Sequence, residues 1–415
     1  MNTQYPRTTR ILSFFAMPLI TKRLTKRYSL LAIIAAFLLI MVASCSDKNN
    51  NEEPEDNRAT ETILMFFPYS EGLSDAFADN VNDMKTAIET NKGMGKARLI
   101  VVMAKTSVTA KMFELVYADG LCQEKNIDLT MDMSFSSDNQ SGVIATLQNI
   151  LYKVKEIAPA HSYAMIIGAH GKSWMPAGGF TLSDCYKPKA MNKAIGSAGM
   201  DYQIDNMSLV TALQNVGIHL NYLLLDACYM ANMESAYDFS NICDYYISSP
   251  TEIMGIGIPY AKAGAALLRH DFQTLVEEYG RFYKAYTMPY GTLSVTDCQY
   301  MDDMANVMRQ INMEISSEGL ENVQQMDAFP QTVFYDMQDY VSRCCTNETL
   351  KSQFMSTMAR LVPYKCNTDE FYSATPSGGV KKKINAYCGL STSQPTANSV
   401  VTNYVTQTSW WIVSH

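Results

Sequence analysis

The chain has no surplus of positive charge. Its 33 Lys and Arg are outnumbered by 41 Asp and Glu, for a formal net charge of −8. Without a basic excess it cannot neutralise a run of phosphates, so nucleic acid is excluded as a partner. Long apolar runs are scarce too: the one at residues 30–42 holds about 13 residues, short for a spanning helix, which needs roughly 20. None of its ten cysteines falls in a C-x-x-C pair, so no zinc site is expected. No internal repeat is visible, which sets solenoid folds aside. Histidine is scarce, five in 415 residues, so proton transfer near neutral pH has few bearers. What is present is ordinary globular material, 47% hydrophobic and 18% charged. The length exceeds one typical core, so a large domain with a smaller appended one is expected.

The N-terminus reads as an export signal. Lys22, Arg23, Lys26 and Arg27 precede the apolar run, which ends in Val42-Ala43-Ser44-Cys45. Basic, apolar and small residues in that order, closing on a cysteine, form the pattern of a bacterial lipoprotein signal peptide over residues 1–44, with Cys45 as the lipidated residue. Met17 offers a start that leaves a compact signal, and an uncleaved anchor is the alternative. Residues 45–60 open with an acidic stretch free of apolar side chains, a solvated tether. Its acidic start resembles the surface-export signal of Bacteroidetes lipoproteins. The expected location is therefore outside the cytoplasm, lipid-anchored to the outer membrane.

Beyond the tether, apolar strand-like runs alternate with helical periodicity. Residues 62–67, 97–103, 163–168, 219–225 and 245–249 read as strands; residues 73–90, 142–157, 207–215 and 230–239 read as helices. Continuous apolar strands indicate a sheet buried on both faces. The expected class is α/β, an α/β/α sandwich with a mostly parallel central sheet over 61–300. From about residue 300 the pattern changes. Helical segments at 301–316 and 349–361 precede strand-like pieces at 383–390 and 400–413, read as a C-terminal α+β subdomain over 301–415.

Ligands of open parallel sheets bind beyond the carboxyl ends of the strands. The strand at 163–168 runs into Ala169-His170-Gly171-Lys172-Ser173-Trp174, and the strand at 219–225 into Asp226-Ala227-Cys228-Tyr229-Met230. One crossover joins them, so the strands should be parallel neighbours, with His170 beside Cys228. A cysteine attacks as thiolate, and a neighbouring imidazole can take its proton and later protonate a leaving amine. A helix starting near Met230 would favour the thiolate through its N-terminal dipole. Gly171 has no side chain, so its N–H can approach a substrate and serve an oxyanion hole. The plain alternatives are a structural histidine and a buried apolar cysteine. The other histidines fit less well: His161 precedes its strand, His219 begins one, His270 lies in a helical run and His415 is terminal.

At these residues the sequence resembles the clostripain family of cysteine peptidases, in the clan of caspases, gingipains and legumains. His170-Gly171-x-x-Trp174 matches the family's H-G-x-G-W, except that Ser173 stands where the family has glycine. Asp226-Ala227-Cys228-Tyr229-Met230 matches D-A-C-x-M, and Glu234 and Tyr237 fit the helix that follows. Ser249-Pro250-Thr251-Glu252 and Gly255-x-Gly257-x-Pro259-Tyr260 look like its substrate-binding loop, although Ile258 occupies a place where tryptophan is usual. Tyr387-Cys388-Gly389-Leu390-Ser391 is similar to a further family segment. The resemblance implies a caspase-like fold, Cys228 as nucleophile, His170 as its acid/base partner, and cleavage after arginine or lysine. Protein or peptide substrates are then the expected partners. It implies no required cofactor and admits calcium, for which Asp201-x-Gln203-x-Asp205 is the one oxygen-rich alternation. Some relatives cut themselves between the two motifs, where Lys187, Lys189 and Lys193 lie in a loop without apolar period.

Asp226 invites a role of its own. Strand alternation puts it on the side of Cys228. A carboxylate there opposes the thiolate and is costly to bury, unless a guanidinium or ammonium compensates it. The resemblance implies the same, placing this aspartate at the floor of a pocket for a basic side chain. A carboxylate that merely caps a turn is the structural alternative. Two other functions remain open on sequence alone, a surface-anchored binding protein without turnover and a transpeptidase or ligase using the same dyad.

Overall fold

A computed structural model describes residues 56, 58–177, 195–196, 202–316, 318–375, 378–393 and 399–415. Cys45, the signal and most of the tether, Asp201, and the loop carrying Lys187, Lys189 and Lys193 lie outside the described residues.

Nine strands form the central sheet: β1 (Ala59–Phe67), β2 (Arg98–Ala104), β3 (Thr109–Ala118), β4 (Leu121–Asp132), β5 (Ala160–Gly168), β6 (Leu220–Asp226), β7 (Cys243–Ser248), β8 (Thr292–Asp297) and β9 (Tyr364–Asn367). Their order is β9-β8-β7-β6-β5-β1-β2-β3-β4. The five inner strands, from β7 to β2, are parallel, and antiparallel strands extend both edges. The runs read from sequence are continuous because both faces are covered. Along β1, Ile63, Met65 and Phe67 pack to one side with the helices Ser74–Thr90, Tyr260–Leu268 and Phe272–Ala285. Leu64 and Phe66 pack to the other with the helices Gln140–Ile157 and Asn206–Val216. This is the expected α/β/α sandwich. Arg58–His415 form one compact unit, and β9, from the segment after residue 300, pairs with β8 at the sheet edge.

Several elements differ from the sequence reading. The hairpin of β3 and β4 was not expected. Its outer strand is largely exposed and charged, so it carries no apolar run, but its turn, Asp119-Gly120, has both residues at positive φ, the primed-turn chemistry of a tight hairpin. Residues 400–413 are helical, in Ser399–Val405 and Ser409–Ser414. Their valines favour strand intrinsically, yet Val401, Val405 and Trp410 are all buried, and tertiary packing overrides propensity. In the stretch at 383–390, only Lys383 is in a strand, closing Gly378–Lys383. His270 sits in the turn between two helices at φ +54° rather than within one.

Candidate active site

β5 and β6 are hydrogen-bonded parallel neighbours in register Gly168 with Asp226, so the loops bearing His170 and Cys228 leave the sheet side by side. The Ala169 N–H donates to the Asp226 carbonyl at 3.3 Å, extending the pairing into the loops. A side chain on Gly171 would place its Cβ 2.1 Å from the Cys228 carbonyl oxygen and 2.7 Å from the Cys228 nitrogen. Glycine is therefore required at this position by close backbone approach. His170, Cys228 and Asp226 line one cavity of about 210 Å³, together with Phe77, Glu252 and Met254.

His170 Nε2 lies 2.9 Å from the Glu71 carbonyl oxygen. A carbonyl only accepts, so this nitrogen carries the proton and Nδ1 is the basic atom of the neutral ring. The Cys228 sulfur accepts from the Ile253 N–H at 3.4 Å, and the thiol reaches the Ile253 carbonyl oxygen at 3.8 Å. Tyr229 takes φ +58°, which turns the chain sharply after the thiol. It is held there by its N–H to the Thr251 carbonyl at 3.0 Å and by stacking on Phe334 at 5.1 Å. The helix after the thiol begins at Met233, later than expected, and has only seven residues.

Asp226 is buried, and its Oδ2 accepts from the Ile258 N–H at 2.9 Å and the Tyr260 hydroxyl at 3.2 Å. Its Oδ1 has no hydrogen-bond partner. Burial pushes this carboxyl up to about 6, against the lowering effect of those two donors. Gly257, at φ +68°, passes so close that a Cβ would stand 2.4 Å from Oδ2. Ile258 thus meets Asp226 through its backbone, while its side chain is buried in the core on that side of the sheet.

Sequence reasoning missed these loop contacts, since Ile258 and Tyr260 lie 32 and 34 residues from Asp226. It also missed the anchoring of Glu252, whose Oε1 accepts from the Tyr229 hydroxyl at 2.8 Å, the Ser373 hydroxyl at 3.1 Å and the Ala374 N–H at 2.7 Å. Among the described residues no three His, Cys, Asp or Glu side chains group as a metal site. Of the oxygen-rich alternation, Gln203 Oε1 accepts from the buried Lys172 ammonium at 3.3 Å, so a cation already stands at that oxygen.

A thiol and an imidazole at adjoining strand ends, over a buried carboxylate in one cavity, are the parts of a thiol-dependent hydrolase. The comparisons agree. Residues 70–404 match the clostripain family model, and the chain belongs to that family. It is a cysteine peptidase. It is similar to the solved structure of a secreted C11 cysteine protease from Bacteroides thetaiotaomicron, "iotapain", at 31% identity and TM-score 0.78, over 86% of this chain and 99% of that one. An inactive zymogen C11 protease from Parabacteroides distasonis is 25% identical with TM-score 0.72, over the same shares. A further secreted C11 cysteine protease from B. thetaiotaomicron, solved with an irreversible peptide inhibitor, is 22% identical over the same shares, with TM-score 0.72, and shares the fold. No curated protein matches the chain.

Proposed function

We propose that this peptidase hydrolyses peptide bonds after arginine or lysine, through a dyad of Cys228 and His170. The observation that carries the reading is the unpartnered Oδ1 of Asp226, buried in the wall of the cavity that also holds His170 and Cys228. A buried carboxylate oxygen without a donor is unfavourable until a cation meets it. A substrate ammonium or guanidinium supplies that cation and sets the carbonyl of the same residue beside the thiol.

The chemistry follows from the loops. The Cys228 thiol passes its proton to the imidazole and the sulfur attacks the scissile carbonyl. The Gly171 N–H faces the oxyanion that develops. The imidazolium then protonates the leaving amine, and water, deprotonated by the same ring, releases the acyl group from sulfur. No cofactor enters these steps. Residues 61–300 would carry this chemistry, with 301–415 as the supporting subdomain.

The test is a panel of fluorogenic peptides ending in Arg, Lys, Asn and Asp, with wild type, Cys228→Ala and Asp226→Asn. The reading expects turnover of the basic pair alone, none in Cys228→Ala, and loss of the basic preference in Asp226→Asn. A preference for an uncharged or acidic residue would overturn it.

Export and lipidation rest on the residues before the fold. The order of basic, apolar and small residues ending at Cys45 supports a mature chain anchored to the outer membrane by acyl groups on that cysteine. Cys45→Ser should leave an unprocessed or soluble form, and mass spectrometry that finds residues 20–44 on the mature protein would end the idea.

A further inference from the structure

Each catalytic loop holds one residue in a backbone conformation that L-residues rarely adopt, and a single side chain bridges the two. Ser173, three residues after His170, has φ +65°; Tyr229, directly after Cys228, has φ +58°. Such conformations persist only where surrounding structure enforces them. The side chain bonded to both is Asn232, fully buried. Its Nδ2 donates to the Ser173 hydroxyl at 2.7 Å and to the Tyr229 carbonyl at 2.7 Å, with the Met230 carbonyl at 3.2 Å. Its Oδ1 accepts from the Ser235 N–H at 2.8 Å and caps the helix Met233–Phe239.

An amide nitrogen has two N–H bonds. The two short contacts spend one on each loop. Ser173 occupies the glycine place of the H-G-x-G-W pattern, so here a residue with a Cβ accepts a glycine-like conformation, and its hydroxyl receives a hydrogen bond that glycine could not.

We infer that Asn232 is a positioning residue, clamping the His170 loop to the Cys228 loop and fixing the imidazole against the thiol. The inference rests on the dyad proposed above. Small displacements of reacting groups cost rate steeply, even when the displaced group never touches substrate.

Asn232→Asp separates capping from clamping, because the carboxylate keeps the oxygen that accepts from Ser235 and loses both N–H donors. Its kcat should fall roughly 30- to 100-fold with KM changed by less than about threefold. The pH midpoint for alkylation of Cys228 by iodoacetamide, without substrate, should rise toward that of an ordinary thiol. Ser173→Ala removes one end of the clamp and should lose roughly fivefold or more. The double variant should be no worse than Asn232→Asp, since both remove the bond from residue 232 to Ser173. Wild-type kcat and alkylation profile in Asn232→Asp, with only a lowered Tm, would overturn the inference, as would multiplicative losses in the double variant. If Asn232→Asp does not fold, Ser173→Ala decides alone, and wild-type activity in it overturns the clamp. An inactive wild type whose Cys228 alkylates no faster than a free thiol would overturn the dyad, and this inference with it.

Discussion

Two buried aspartates in this molecule share one electrostatic condition and differ in everything else. Asp226 lies at the end of β6 in the cavity wall, and Asp327 lies in the segment that covers the loops. Burial pushes both carboxyls up to about 6. Asp327 is fully answered: its Oδ1 accepts from the Phe329 N–H, and its Oδ2 from those of Val333 and Phe334, at 2.7 to 2.9 Å. It is a staple that folds its loop, setting Phe329 and Phe334 against the Tyr229 ring. Asp226 has two donors on one oxygen and none on the other. The raised pKa is the same in both, so it does not distinguish function from structure. The two differ in the count of donors on each oxygen and in place: Asp226 lines the cavity that His170 and Cys228 also line.

The comparison can be broken most severely at the thiol itself. Cys228→Ala and His170→Ala should each lower kcat on the order of 10⁴-fold or more, with the double variant no worse than either single, because the pair acts as a unit. The unfolding transition should stay near its wild-type position. A residual rate close to wild type in either variant would remove the cavity from the chemistry.

Asp327→Ala should do the opposite. It leaves three buried N–H groups without an acceptor, and denaturant unfolding should show a loss of about 3 to 5 kcal/mol. A loss below about 1 kcal/mol would mean water replaces the carboxylate and the staple is not one.

Asp226→Asn should cost roughly 10²-fold in kcat/KM on basic substrates, about 3 kcal/mol, yet stabilise the ligand-free protein. The sign follows from the raised carboxyl. Its protonated form favours the fold, a contribution complete below the unfolded value near 4 and lost as pH rises through about 6. At pH 8 wild type therefore carries an ionised carboxylate, answered on one oxygen only, that asparagine avoids, a gain of about 3 kcal/mol. Thermal unfolding of both proteins at pH 4 and pH 8 checks this: the difference should appear at pH 8 and vanish at pH 4. The same ionisation sets an acidic limb near pH 6 on kcat/KM for basic substrates.

The smallest effect is expected at Tyr260. Its hydroxyl lowers the Asp226 pKa, so Tyr260→Phe should move that acidic limb to higher pH. Because Oδ2 already takes two donors and Oδ1 takes none, a single ammonium should be answered more fully than a two-pronged guanidinium. Wild type should then favour lysine over arginine, and Tyr260→Phe should narrow the ratio by a few-fold, under about 1 kcal/mol. An unchanged ratio would show that Oδ2 does not enter recognition.

Much of this is legible in the sequence. Strands buried on both faces write themselves as apolar runs, and a right-handed crossover between two of them placed His170 beside Cys228. The hairpin of β3 and β4 escaped because its outer strand faces solvent, and the helices after residue 399 escaped because their valines carry strand propensity that packing overrides. The sequence alone therefore determined the five parallel strands at the centre of the sheet and the candidate residues in the loops at their ends, because local period and residue chemistry are properties of adjacent positions. Only the tertiary structure decided which oxygen of Asp226 goes without a donor, and that Asn232 reaches Ser173 59 residues away. Those contacts join loops distant in the chain, and nothing in either loop's own sequence specifies the partner that the sheet brings to it.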